Sequence, residues 1–207
     1  MVKLPLPPEP GKLQFPPEHD RVLDTAVVLW RVHRTSGEHV VPWNRLRYWG
    51  PASTMRFDPH EPPPHEQERG VSYAALAVPT ALAEVFQRTR VINTRRGTPY
   101  LTAWSPDRPV TLLDLNGTWP IQAGASHAIN TGRRDHCRAW ARAIHSARPD
   151  LDGLWHHSSM TGGDVVTLLT NAADSFRDRP VLSLPLDHPG LRGHLLAAAN
   201  QIGYRVV

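Results

Sequence analysis

Cysteine is almost missing from this chain: Cys137 is the only one in 207 residues. An internal disulfide is therefore excluded, and with it a disulfide-stapled secreted scaffold. Lysine is nearly as scarce, with Lys3 and Lys12 its only examples, so the 23 basic residues are mostly arginine. No apolar run approaches the ~18 residues that a spanning helix needs. The opening segment MVKLPLPPEPGKLQFPPEHD has neither an apolar core nor a small-residue cleavage site, which predicts no secretory signal and a cytoplasmic location.

Familiar catalytic spacings are missing as well. His33, His39, His60, His65, His156 and His157 fall in loop-rich parts, without HExxH or a repeated cysteine-histidine spacing, so no metal site is expected. No GxSxG elbow surrounds Ser158, and His157 beside it on an extended strand would point to the opposite face, poorly placed as its base. The pair Gly162-Gly163 is too short for a phosphate loop.

What the chain does contain suits one buried core. Its length and 40% hydrophobic content predict a single domain. The net charge of +4 is modest and scattered. Only the stretch with Arg31, Arg34, Arg45 and Arg47 among Trp30, Trp43, Tyr48 and Trp49 is densely basic and aromatic, a weak signal for direct nucleic-acid binding. Residues 1–20 are proline-rich and are expected to run over the surface ahead of a domain at 21–207.

Hydrophobic patterning predicts strands at 25–32, 71–78, 98–105, 109–115, 164–170 and 180–186, with a short one after Gly153 and a last one at YRVV. Helices are predicted from Pro79 to about Arg90, over 133–147 and over 190–200; in the second, Cys137, Trp140, Ala141 and Ile144 share one face. A long irregular excursion is expected over 42–68 and a loop over 117–132. Strands and helices do not alternate regularly, which predicts an α+β domain with a mixed, short-stranded sheet and flanking helices.

Particular side chains carry the chemistry. Arg31 follows VVLW at a strand end, where a guanidinium is costly unless it meets an anion; a salt bridge to Asp24 or Glu38 is the plainer alternative. Arg56, in TMRFDP, is a second anion-binding candidate or an exposed loop residue. Tyr73 alternates with Val71 and Ala75 and reads as core or as a stacking platform. Glu84 lies off the apolar face of its helix; a capping box with Thr80 would need an acid at Ala83, which leaves a solvated surface residue or a functional carboxylate.

In order and wording, WRVHR, TMRFDP, GVSYAALAVPTALAEVF and DGLWHHSS resemble the RES domain, the toxin half of a bacterial toxin-antitoxin family, over roughly Trp30 to Leu169. The serine segment departs from the family pattern, since His156 and His157 stand where tyrosine and proline are usual; Ser158 aligns with the family serine, with Ser159 as the alternative. The resemblance implies an ADP-ribosyltransferase-like fold and an enzyme acting on NAD. Arg31 and Arg56 would hold its phosphates or ribose, Tyr73 would pack on the nicotinamide end and Ser158 would orient a ribose. Glu84 would stabilise positive charge as the nicotinamide bond breaks, with phosphate, water or a protein side chain as acceptor. It further implies an Xre-like antitoxin, a toxin homodimer within a larger complex, no membrane, no metal, and contact with nucleic acid only through the antitoxin. A catalytically weak NAD-binding module and a basic RNA-binding protein are the alternatives from other classes.

Overall fold

The computed structural model describes residues 4–207. In chain order its strands are β1 (Asp20–Leu23), β2 (Leu29–Arg34), β3 (Arg47–Gly50), β4 (His65–Ala75), β5 (Val91–Ile92), β6 (Pro99–Trp104), β7 (Val110–Asp114), β8 (Gly153–His157), β9 (Asp164–Leu169), β10 (Leu182–Pro185) and β11 (Arg205–Val206). The α-helices are α1 (Val78–Phe86), α2 (Trp119–Gln122), α3 (Arg134–Ala147) and α4 (Arg192–Gln201). Among the described residues no helix is long and apolar enough to cross a membrane.

The main sheet runs β1-β7-β8-β9-β4-β2-β6-β10, with β3 added beside β4, and β11 pairs β5 in a small second sheet. Most neighbours are antiparallel, but β7 and β8 run parallel, so the sheet is mixed and the domain is α+β as the patterning predicts. Its middle is forked. Strand β4 pairs β9 continuously from Val71 to Ala75, whereas on its other edge it meets β2 only where Trp30 faces Ala75. Lower down, that edge is taken by β3, from Arg47 opposite Val71 to Gly50 opposite His65. Between these contacts β2 leaves β4 and follows β6 from Leu29 to Arg34. Helix α1 starts directly beyond β4, with Pro79 in its first turn where no N–H is missed.

Several boundaries differ from the sequence expectation for identifiable reasons. The strand predicted at 25–32 begins at Leu29, because Asp24 folds the preceding residues into a turn, its side chain accepting from Ala26 N at 2.9 Å and its carbonyl from Val27 N at 3.1 Å. The 42–68 excursion is not irregular throughout, since it contains β3 and the first residues of β4. These stretches are polar and half exposed, so they lack the apolar alternation of a buried strand. The 117–132 loop holds the one-turn helix α2 and a 3-10 turn at His127–Asn130.

The N-terminal segment follows the surface in two 3-10 turns, but it also enters the core through Leu4 and Leu13. Two buried tryptophans explain this. Trp140 on α3 donates its indole N–H to the Pro5 carbonyl at 2.9 Å, and Trp119 donates to the Gln14 carbonyl at 2.8 Å. Buried indoles need such acceptors, and the prolyl segment supplies them. Phe15 stacks on Trp119 at 5.4 Å, and Trp119 meets Trp140 edge-on at 6.1 Å. The predicted face of α3 is the buried one: Cys137, Trp140, Ala141 and Ile144 all lie inside. Trp140→Ala should therefore destabilise the fold by ~3–5 kcal/mol, read as a lowered urea midpoint, because it opens a cavity and frees the N-terminal segment. A midpoint within error of wild type would show that this cluster does not support the core.

Candidate active site

Glu84 and Ser158 meet across the end of the sheet. Ser158 follows β8, and its hydroxyl donates to Glu84 Oε1 at 2.5 Å while accepting the amides of Met160 at 3.0 Å and Thr161 at 3.2 Å. Ser158 is 4% exposed, so this hydroxyl is occupied and shielded. Its position is set by a tight turn in which Ser158 N donates to the Gly163 carbonyl at 2.8 Å and Gly162 N returns to the Ser158 carbonyl at 2.9 Å. The two glycines have separate reasons to be there. Gly162 holds a φ of +71°, and a Cβ on Gly163 would come within 2.7 Å of Thr80 Oγ1 on α1. Thr80 also bonds Thr161 at 3.0 Å. The turn is thus docked on the helix that carries Glu84.

Arg31 lies in the fork. One guanidinium nitrogen donates to Ser72 Oγ on β4 at 2.7 Å and to the Trp43 carbonyl at 3.2 Å. No carboxylate pairs with it among the described residues, so the salt bridge to Asp24 or Glu38 does not form. Burial, reinforced by the nearby charge of Arg47, lowers its guanidinium to about 10. It remains a cation at neutral pH, held by neutral partners.

Arg56 is placed in the same way. Its guanidinium donates to the Gly132 carbonyl and to Cys137 Sγ at 3.6 Å. Burial raises the Cys137 thiol above its usual value, so this neighbour is neutral too. Two arginines whose partners carry no charge keep their full attraction for an anion.

These side chains border one cleft of about 390 Å³, a size suited to a small organic ligand. Arg31, Arg56, Tyr73 and Glu84 line it, as does Ser159, whereas Ser158 stands behind Glu84. Among the described residues Tyr73 Oη is buried without a hydrogen-bond partner, and burial raises its phenol. Several lining residues escape sequence reasoning. Gln87 and Arg88 come from the turn directly after α1, and Arg134 comes from the start of α3 with its guanidinium on Gln87 Oε1 at 3.0 Å. Arg88 is one turn after Glu84, a spacing visible in the sequence; Arg134 carries no local signal. The lining therefore holds Arg31, Arg56, Arg88 and Arg134 against the single carboxylate of Glu84.

His156 takes the buried side of the strand end. It packs against Phe57 with ring centroids 4.4 Å apart, and its Nε2 shares a hydrogen bond with Thr167 Oγ1 at 2.8 Å. Burial lowers its imidazole to about 3, so it is neutral. His157, on the opposite face, lies 3.7 Å from Asp164. Among the described residues no group of three or more His, Cys, Asp or Glu is arranged to hold a metal ion.

A cleft of this kind can hold a polyanion on its arginines and present one oriented carboxylate to a developing cation. The chain resembles known proteins in sequence and in fold. A family model described as the RES domain matches residues 28–188. Among solved structures, the crystal structure of the M. tuberculosis MbcT-MbcA toxin-antitoxin complex contains a similar chain. The likeness has a TM-score of 0.54 at 15% identity, covering 85% of this chain and 92% of that one. At that identity the likeness speaks to the fold. No curated protein matches the sequence.

Two outcomes follow from the buried charges. Arg31→Met removes a half-buried cation that no carboxylate balances, so its Tm should equal or exceed that of wild type, while Arg108→Met should lower it. Arg108 donates to Asp152 at 2.8 Å and to Asp174 at 2.6 Å, so its removal leaves the buried Asp152 without its counter-ion. A large loss of Tm in Arg31→Met would show that the arginine is structural. The second outcome concerns acid. Burial lowers His33 to about 4, His145 to about 4 and His156 to about 3, against ~6.5 in an unfolded chain. Between those values the unfolded state binds more protons, so stability is full above about pH 6.5 and falls as pH drops towards 4. Thermal melts across that window should show the decline, with a shallower slope in His156→Gln; a flat profile would contradict it.

Proposed function

The chain belongs to the RES domain family, and from that membership we propose that it is an NAD-consuming toxin of a toxin-antitoxin pair, breaking the bond between nicotinamide and ribose. The observation that carries this reading is the Ser158–Glu84 bond at 2.5 Å, facing the two arginines held by neutral partners. Arg31 and Arg56 hold the pyrophosphate, and Tyr73 forms the wall at the nicotinamide end. As the C1′–N bond breaks, its electron pair leaves with nicotinamide, which becomes neutral, and positive charge moves onto the ribose. The Glu84 carboxylate stabilises that charge, which is greater in the transition state than in bound NAD. An acceptor oxygen then forms the new bond at C1′; water or a side-chain hydroxyl releases its proton to solvent, whereas phosphate attacks through an oxygen that is already ionised. Phosphate, water or a protein side chain serves as acceptor.

The role of Ser158 is to orient the carboxylate. Its hydroxyl is already donated to Glu84 and accepts two amides, which leaves it no free donor for a ribose. What favours an enzyme over a catalytically weak binding module is that this bond persists although His156 and His157 precede it. The RNA-binding alternative loses support because the basic-aromatic stretch is not one surface patch: Arg31 turns into the cleft and Arg47 pairs with buried Asp58 at 2.7 Å. A similar chain occurs in a toxin-antitoxin complex, which supports an antitoxin partner here. We take that partner to be Xre-like, acting on a cytoplasmic toxin homodimer, with no metal and with nucleic acid reached only through the antitoxin.

Nicotinamide release from NAD, followed with and without inorganic phosphate, tests the reading. Glu84→Gln should lose at least a hundredfold in kcat, ~3 kcal/mol, and Ser158→Ala about tenfold with KM little changed. Wild type that releases no nicotinamide in either condition would sink the enzyme reading, and retained NAD binding in that case would support the binding module.

A further inference from the structure

The residues from Pro51 to Asp58 bring Thr54, Met55, Arg56 and Phe57 to the cleft, yet they form neither helix nor strand. Their shape is fixed largely by the carboxylate at their end. Asp58 is completely buried. One of its oxygens accepts from Ala52 N at 2.8 Å and Arg47 Nη2 at 2.7 Å; the other accepts from His60 N at 3.3 Å and from the His60 ring. The Ala52 bond closes the loop on itself, and Arg47 ties the closed loop to β3. Burial by itself would raise this carboxyl, but His60, Arg47 and the Ala52 amide outweigh it and hold the group at about 2, ionised across the working pH range.

We propose that Asp58 is a positioning residue for the cleft: by closing the 51–58 loop against β3 it sets the guanidinium of Arg56 for the ligand's phosphates. The proposal rests on the reading of Arg56 as an anion-holding residue. Geometry supports it from both sides of the loop. Arg56 reaches Gly132 and Cys137 near the start of α3, and Arg138 of α3 donates to the carbonyls of Ser53 at 3.1 Å and Met55 at 3.3 Å. The loop is therefore pinned at its tip by α3 and at its base by Asp58. An asparagine at 58 would offer a single accepting oxygen to the donors that converge there, so the base would loosen while the fold around it remained.

Inorganic pyrophosphate is the probe, with its affinity measured by calorimetry on the full chain. Arg56→Gln should weaken binding about tenfold. Asp58→Asn should weaken it by a similar factor, and the double variant should bind no more than about twofold worse than Arg56→Gln alone. Such non-additivity identifies a residue acting through Arg56, which a general loss of stability does not produce. Additive losses in the double variant, or an Asp58→Asn protein that binds like wild type, would overturn the proposal. Should Asp58→Asn fail to fold, hydrogen exchange at the wild-type Ala52 amide decides. Protection that rises when pyrophosphate binds is expected; exchange at the rate of an open loop overturns the proposal. Wild type that binds pyrophosphate but leaves NAD intact refutes the NAD reading without touching this one, while wild type that ignores pyrophosphate refutes the positioning role.

Discussion

Strands β2 and β4 pair at one residue pair, Trp30 opposite Ala75, and the cleft is lined by both of these residues and by Arg31 next to them. Beyond that pair the β4 edge of β2 is open, so Arg31, paired with β6 on its other side, stands beside a gap rather than a neighbouring strand. Strand β3 takes the lower part of the β4 edge, and β2 turns to follow β6. The gap between them is bridged by the Arg31 side chain, which reaches Ser72 on β4 and the Trp43 carbonyl in the loop leading to β3. Opposite the fork, α1 begins directly beyond β4, so the same strand end also sets the distance of Glu84 from the arginines. One interruption in strand pairing thus determines where both charges of the site can stand.

Around this fork, charge is handled in two opposed ways. Structural ions are saturated: Asp58 accepts from Arg47, Ala52 and His60, and Asp152 is held by Arg108, Asn171 and the Thr111 amide. The cleft arginines are left open, because among the described residues Arg31 and Arg56 bond only to carbonyls, a hydroxyl and a thiol. Saturation stabilises the folded chain, while neutral partners keep an arginine's field available to an incoming anion at some loss of stability. The histidines follow the same division. His156 is kept neutral by burial beside Arg56, and a charged imidazole there would oppose the arginine's place in the loop-facing wall.

The parts of this arrangement differ in how plainly the residues express them. Helix α3 was legible because Cys137, Trp140, Ala141 and Ile144 repeat at helical spacing, and β6 and β7 because compact apolar runs bound them. β3 and the first half of β4 were not, since RYWG and HEQERG carry no apolar alternation; they are strands because they pair with each other at the fork. For the site, Arg31 could be singled out from its apolar context alone, but Glu84 and Ser158 could not. Their bond joins residues 74 positions apart, and only the family wording brought them together in the sequence. Arg134 had no local signal whatever, being cleft-lining only because α3 starts beside the end of α1.

The segment with His156 and His157 shows why a change of neighbouring side chains leaves the Glu84–Ser158 pair intact. Ser158 is placed by backbone, through its amide on the Gly163 carbonyl and its carbonyl on the Gly162 amide, and by two further amides that donate to its hydroxyl. None of these bonds involves the side chain of residue 156 or 157. What the preceding position must supply is a group that fills the buried face beside Phe57 and satisfies its own polar atoms, and His156 does so against Thr167. Residue 157 is exposed at the cleft, 3.7 Å from Asp164, and takes no part in holding the serine. The constraint that does bear on the pair lies downstream, in Gly162 with its positive φ and Gly163 with Thr80 against its Cα, because these let the turn dock on α1. The serine's chemistry is therefore conditioned more strongly by the two glycines after it than by the two histidines before it.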